Sequence, residues 1–469
     1  MRGKIAVFVA STLYVFATTG ARVAFAESRW ITTSGGTFDW NNSANWSGSF
    51  PPASVDDVRI TNDLGSAQLI TNMGGASAIG KTNIINFLSV SNGLGSTSVT
   101  VEQAPGVLWQ SNFGIQLGKN ATLVIVTNAI MGTNANLTFD LRAGGQPGTL
   151  VLSNASTGSG FSAFVNSGGM GINNSGTIQF TPVNSQLVSI NYGQTGLFTN
   201  NALGTVVMHG SGTGAFVGNF GSNNERVLNN GSIFVQSGTL RVDSRNAFSG
   251  GGFQNGSTGY IEVDAGGTFE LRRTTNAWTA GTAVTNLDTI FMSGGTMLAF
   301  DTDQNGNPIQ GDNASLLNTN TSRVFENLGI IKGNGTISAT ISNLSGSTLA
   351  PGFGFQTLNV GGSVGLGSNS TLSIELGTLT GQNDLLAVGS NLTMNANSIL
   401  ALTGGAAGNV YTVATFFADS GIFSSVTPGY TIGYNPTDIT VQLIPEPSTL
   451  LLVATGLAGL IFARRRRPY

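Results

Sequence analysis

The feature that most restricts what this chain can fold into is a five-residue phrase, Gly-Thr-apolar-x-apolar, that returns at a nearly fixed interval. It reads GTLVL from Gly148, GTIQF from Gly176, GTVVM from Gly204 and GTLRV from Gly238. It goes on as GTFEL from Gly267, GTMLA from Gly295 and GTISA from Gly335. A variant, ATLVI, begins at Ala121, and degenerate copies, STLSI and SILAL, begin at Ser370 and Ser398. From Ala121 to Gly335 the successive intervals are 27, 28, 28, 34, 29, 28 and 40 residues.

Alternate side chains of a strand share a face. The third positions of the phrase include Leu150, Ile178, Val206, Leu240, Phe269 and Met297, and the fifth include Leu152, Phe180, Met208, Val242, Leu271 and Ala299. One face of each strand is therefore apolar and must be covered. The fourth positions include Gln179, Arg241 and Glu270, which predicts that this side, with the threonine of position two, meets water. Glycine marks the turn into each strand. A strand that recurs at this period and cannot bury its face alone predicts a solenoid, in which stacked coils share one core. The expected fold class is all-β, a right-handed parallel β-helix. An antiparallel β-sandwich with accidental spacing is the alternative; a propeller fits less well, because each blade needs four strands in ~40–45 residues. Adjacent phrases in register would set Arg241 beside Glu270 on the outer face, an exposed pair worth ~1 kcal/mol or less.

Composition agrees with an exported β protein. Only 9% of the 469 residues are charged, 67 are glycine, one is histidine and none is cysteine, whereas about a quarter of an ordinary globular domain is charged. Disulfides and thiolate metal sites are excluded. The N-terminus has a basic start (Arg2, Lys4), an apolar stretch from Ile5 to Ala17 and the small-x-small triplet Ala24-Phe25-Ala26. That order predicts a signal peptide over 1–26, cleaved between Ala26 and Glu27. With both ends set aside, 12 basic and 21 acidic residues remain, a net charge of about −9. An acidic surface poor in Lys and Arg argues against a nucleic-acid partner.

The chain ends IPEPSTLLLVATGLAGLIFARRRRPY. Pro445 and Pro447 hold an extended stretch. The apolar run Leu450 to Ala463 is 14 residues long, short of the ~20 that span a bilayer comfortably. Arg464, Arg465, Arg466 and Arg467 would stay on the cytoplasmic side. Pro445-Glu446-Pro447, a short apolar helix and an arginine run, in that order, resemble the PEP-CTERM sorting signal. The resemblance implies an exosortase partner that cleaves at or near the motif after transient membrane insertion, and an exported protein of the cell surface or extracellular matrix, associated with exopolysaccharide. A simple single-pass anchor is the rival reading. Residues 327–352 and 357–376 resemble the autotransporter-associated β-strand repeat, and residues 30–60 the N-terminal part of such passengers. The organisation expected is a signal peptide (1–26), a β-helix passenger (27–380), a C-terminal β cap or small β domain (381–443) and the sorting signal (444–469).

Few residues point to chemistry. His209, the one histidine, follows Met208 at a strand end, so it is expected to face solvent, and no G-x-S-x-G surrounds any serine; a Ser-His-Asp triad is not expected. In DTDQNGNPIQGD, residues 301–312, Asp301, Asp303, Asn305, Asn307 and Asp312 fall at ligand positions of a calcium loop, with Gly306 at its bend. Asp312 replaces the usual bidentate Glu and no helices flank the loop, so a polar Asn-Gly turn is the competing reading. The richest charge cluster is Arg241, Asp243, Arg245, Glu262, Asp264, Glu270, Arg272 and Arg273. Interleaved signs suit a solvated face, and nothing there separates an acid from a base. A β-helix polysaccharide lyase or hydrolase is therefore the alternative to a non-enzymatic surface protein. Trp30, Trp40 and Trp46 lie where a solenoid must close its open core, and capping is preferred there to sugar stacking.

Overall fold

Strands whose third and fifth side chains are apolar have no partner for that face within one coil, and the chain buries it by stacking coil on coil. The computed structural model describes residues 27–444 and 455–461, less the connecting stretches 33, 48–56, 62–66, 74–81, 92–97, 104–107, 127–128, 132–135, 140–147, 154–161, 167–171, 184–185, 193–196, 219–225, 245–251, 275–283, 303–323 and 353. The strands form a parallel β-solenoid with three faces. The first face runs through Ala121–Ile125, Thr149–Ser153, Thr177–Thr181, Thr205–Met208, Ser232–Val235 and Tyr260–Asp264. The second includes Leu187–Tyr192, Thr213–Gly218, Gly238–Ser244 and Gly267–Thr274. The third includes Ile172–Asn174, Leu197–Asn200, Arg226–Asn229 and Gly252–Asn255. Two long strands, Thr289–Thr302 and Ile330–Ser338, turn a corner and serve the first and second faces in succession. Their corners need backbone that only glycine adopts easily, at Gly294 (φ 85°) and Gly333 (φ 102°).

The phrases stack in two columns on two faces. Thr122, Thr149, Thr177 and Thr205 are register partners on the first face. Thr239, Thr268, Thr296 and Thr336 are partners on the second. The 34-residue interval is the jump between them: the first-face strand after Gly204 is Ser232–Val235, and the phrase reappears at Gly238 above Thr213–Gly218. Arg241 and Glu270 are partners as expected. Inward positions are sealed throughout: Leu150, Ile178, Phe180, Val206, Met208, Leu240 and Phe269 have 1% exposure or less. At Gly204 the first-face phrase allows no side chain. A Cβ would stand 2.3 Å from Asn200 Oδ1 and 2.4 Å from the Asn174 carbonyl oxygen.

That crowding comes from a buried asparagine ladder on the third face. Asn174, Asn200, Asn229, Asn255, Asn286, Asn327 and Asn343 are successive register partners, and all seven are fully buried. Each amide Nδ2 donates to the Oδ1 of the next, at 2.7–2.8 Å for the first five links; Asn327 donates likewise to Asn343. The second amide hydrogen of the first six goes to a first-face backbone carbonyl, as from Asn229 to Tyr260 at 3.2 Å. The ladder stops where Leu366 follows Asn343.

Both ends are closed. Trp40 and Trp46 are buried, with ring centroids 4.8 Å apart, and Trp30 meets Trp46 edge-on at 5.0 Å. Trp46 Nε1 donates to the Trp40 carbonyl oxygen at 2.7 Å, so these rings cap the core. Parallel stacking continues past residue 380, through Leu385–Val388, Ile399–Gly404 and Ser425–Val426. Tyr430–Tyr434 and Asp438–Leu443 depart from it: they form an antiparallel hairpin, and Asp438–Leu443 also pairs antiparallel with Val410–Thr415.

Candidate functional site

The tail leaves this closing strand at once: Ile444 follows Leu443 and donates its N–H to the Gly429 carbonyl oxygen at 2.8 Å. Residues 455–461 form a short helix in which Leu457, Leu460 and Ile461 are exposed. Among the described residues no helix is long and apolar enough to cross a membrane. The processing residues Pro445, Glu446 and Pro447 and the arginines 464–467 lie outside the described residues, as does Ala26; Glu27 opens the first strand, Glu27–Arg29.

The charge cluster read as one solvated face is divided. Glu262 and Asp264 lie on the first face; Arg241, Asp243, Glu270 and Arg272 lie on the second. Glu270 corrects the outward reading of the fourth position, for only 4% of it is exposed. Its Oε2 takes Arg241 Nε at 2.7 Å and its Oε1 takes Arg272 Nη2 at 2.8 Å. A carboxylate taken from water needs such partners, so the Arg241 pair is more than the weak surface contact expected. On the first face Tyr260 Oη donates to Glu262 Oε2 at 2.9 Å. Burial, then the Glu262 hydrogen bond and the Glu262 and Asp264 charges, push the Tyr260 phenol up to about 12, so it stays a donor. The side chains of Arg245 and Arg273 lie outside the described set.

His209 is exposed, as expected, with its backbone N–H donating to the Phe180 carbonyl oxygen at 2.9 Å. Asp301 pairs through its backbone with Arg273. The remaining calcium-loop candidates, Asp303, Asn305, Asn307 and Asp312, lie outside the described residues. Among the described residues no group of three or more His, Cys, Asp or Glu side chains is placed to hold a metal ion. Near the C-terminal end, Asp384 is buried and accepts the Glu375 N–H at 3.0 Å. Burial pushes its carboxyl up, while the backbone N–H groups of Glu375, Gln356 and Phe355 act against that shift. The asparagine ladder escaped sequence reasoning, although a weak signal existed: apolar-x-Asn recurs before first-face strands, as in INN, VLN, FQN and ISN.

Fold and tail define the class, an exported β-solenoid that ends in a sorting signal. Residues 443–467 match the PEP-CTERM protein-sorting motif. The chain therefore carries the signal that an exosortase recognises on an export pathway to the cell envelope. The match covers the tail alone and concerns sorting. The solenoid fits the repeat resemblance at 327–352 and 357–376. No curated protein matches the chain.

Proposed function

We propose that the protein is a non-enzymatic architectural component of the cell surface or extracellular matrix, acting by adhesion or scaffolding within exopolysaccharide. The observation that carries this reading is the continuous core, closed by tryptophans at one end and an antiparallel hairpin at the other, with its mass given to stacked coils. Glu270 lies between two guanidinium groups and Glu262 is engaged by Tyr260, an arrangement suited to fixing strands rather than to exchanging protons with a substrate. In this reading the tail is inserted transiently and cut near Pro445–Pro447, releasing the solenoid.

The test is to fractionate cells with and without the exosortase and to determine the mature C-terminus by mass spectrometry. Released protein ending near the motif is expected in the first case, and membrane-held protein bearing Arg464–Arg467 in the second. Exported protein with an intact arginine terminus would establish the single-pass anchor instead. Incubation of the purified protein with polysaccharides is expected to release nothing; sustained production of reducing or unsaturated ends would establish the lyase or hydrolase. The 301–312 loop is read as a weak calcium site, and titration calorimetry that gives no heat at millimolar calcium removes it.

A further inference from the structure

The outer sides of the first and second faces differ. On the second, Ser189, Ala215, Asp243 and Glu270 have 4% exposure or less, while Arg241 and Arg272 beside them are half-buried. On the first, outward side chains from Thr122 to Ser373 are half-open or exposed in every described coil. Parallel register sets them in straight columns along the rod. One column runs from Glu102 through valines and Gln179, then reads Phe234, Glu262, Phe291 and Lys332 in successive coils. Ring and charge alternate there. Tyr260 stands in the adjacent column, its ring centroid 6.0 Å from that of Phe234, and its hydroxyl bonds Glu262. Lys332 Nζ lies 5.6 Å from the Phe291 centroid.

The spacing has a chemical counterpart. Coils are separated by ~4.8 Å, so Phe234 and Phe291 are ~10 Å apart along the axis. That is about the length of a disaccharide in an extended glycan. Pyranose rings present apolar C–H faces, which stack on aromatic rings, and hydroxyl edges, which bond carboxylates, ammonium groups and threonine hydroxyls. Charge selects among glycans. From Phe234 to Lys332 the column holds one carboxylate and one ammonium, and the protein without its two ends carries about −9, so a polyanion is repelled.

We propose that the Phe234–Glu262–Phe291–Lys332 column, with Tyr260 beside it, binds an extended neutral polysaccharide laid along the rod axis. This rests on the exopolysaccharide role proposed above and names its contact surface. The test uses the full-length protein in detergent against immobilised neutral glucans (β-1,4, β-1,3 and α-1,6) and against polygalacturonate. Retention is expected on at least one glucan and not on the polyanion. Phe234→Thr with Phe291→Thr should lower retention at least tenfold, and Leu203→Thr, at a corner position 70% exposed, should leave it unchanged. If the threonine pair does not fold, Phe234→Leu with Phe291→Leu keeps apolar packing but lacks the flat rings, and the same loss is expected. No retention on any glucan, retention on polygalacturonate alone, or retention indifferent to the rings overturns the proposal. Matrix fractionation of the same variants separates the two failures. Ring variants that stay in the matrix as wild type does sink the site and spare the role; wild type absent from the matrix sinks the role itself.

Discussion

Asn229 lies in the middle of the third-face ladder, where no water reaches it. Its Oδ1 accepts from Asn200 Nδ2 at 2.7 Å, and its own Nδ2 donates to Asn255 Oδ1 at 2.7 Å and to the Tyr260 carbonyl oxygen at 3.2 Å. Asn229→Ala strands a donor on Asn200 and an acceptor on Asn255. Each buried group left unpaired costs about 1–3 kcal/mol, so the change should destabilise by roughly 2–6 kcal/mol. Asn343→Leu is the internal comparison. Asn343 ends the ladder, its Nδ2 meets no acceptor, and its next register partner is already Leu366. That substitution removes one unpaired donor while leaving one hydrogen of Asn327 unpaired, so its net effect should stay within about 1 kcal/mol. Solenoids open in segments, so the assay is hydrogen exchange by coil, with urea unfolding followed by far-UV circular dichroism. In Asn229→Ala, exchange around 200–260 should quicken roughly 30-fold or more, the factor that matches 2 kcal/mol. Equal losses in both variants, or an unharmed Asn229→Ala, would refute the claim that the ladder stabilises by amide pairing.

Three further outcomes are expected. Glu270→Ala leaves the guanidinium groups of Arg241 and Arg272 without their buried acceptor and should cost about 2–4 kcal/mol, since both arginines still reach water; thermal unfolding measures this, and no loss would refute it. Gly204→Ala drives a Cβ into Asn200 Oδ1 and the Asn174 carbonyl, whereas Gly266→Ala meets nothing within 4 Å and strains only its φ of +88°. The first should therefore lower the urea midpoint well beyond the second, whose loss is about 1–2 kcal/mol. Burial raises the folded carboxyl pKa of Asp384, so the folded chain holds that proton more tightly than the unfolded one. Its share of stability is present below the unfolded value of ~3.9 and lost as pH rises through the folded value. Asp384→Asn should then be more stable than wild type at pH 7, with the gap closing in acid; urea midpoints at the two pH values test the sign.

Period-two alternation made the inward residues legible before any coordinates. Leu150, Phe180, Val206 and Phe269 are buried as the phrase requires, because which side of a strand is covered follows from local geometry. The tail was equally legible, since its apolar length and flanking charge are local properties. The jump of the phrase from the first face to the second was not. It depends on how many residues each corner consumes, and register across coils sets that. Glu270 looked solvent-facing by alternation and is buried, with Arg241 from the neighbouring coil and Arg272 bonded to its two carboxylate oxygens.

What the sequence determined by itself was the stacked β architecture, its inward residues and its sorting terminus, because period, apolar pattern and segment length act within a few neighbouring residues. What only the tertiary structure decided was lateral identity: which residues become neighbours one coil away. Asn174, Asn200, Asn229 and Asn255 each stand beside an Asn or Gly and read locally as turns, yet they join Asn286, Asn327 and Asn343 in one buried ladder. Phe234 and Phe291, 57 positions apart, fall into one column on the rod. Contacts of this kind form between coils, and the intervals that create them vary from 16 to 41 residues along the ladder.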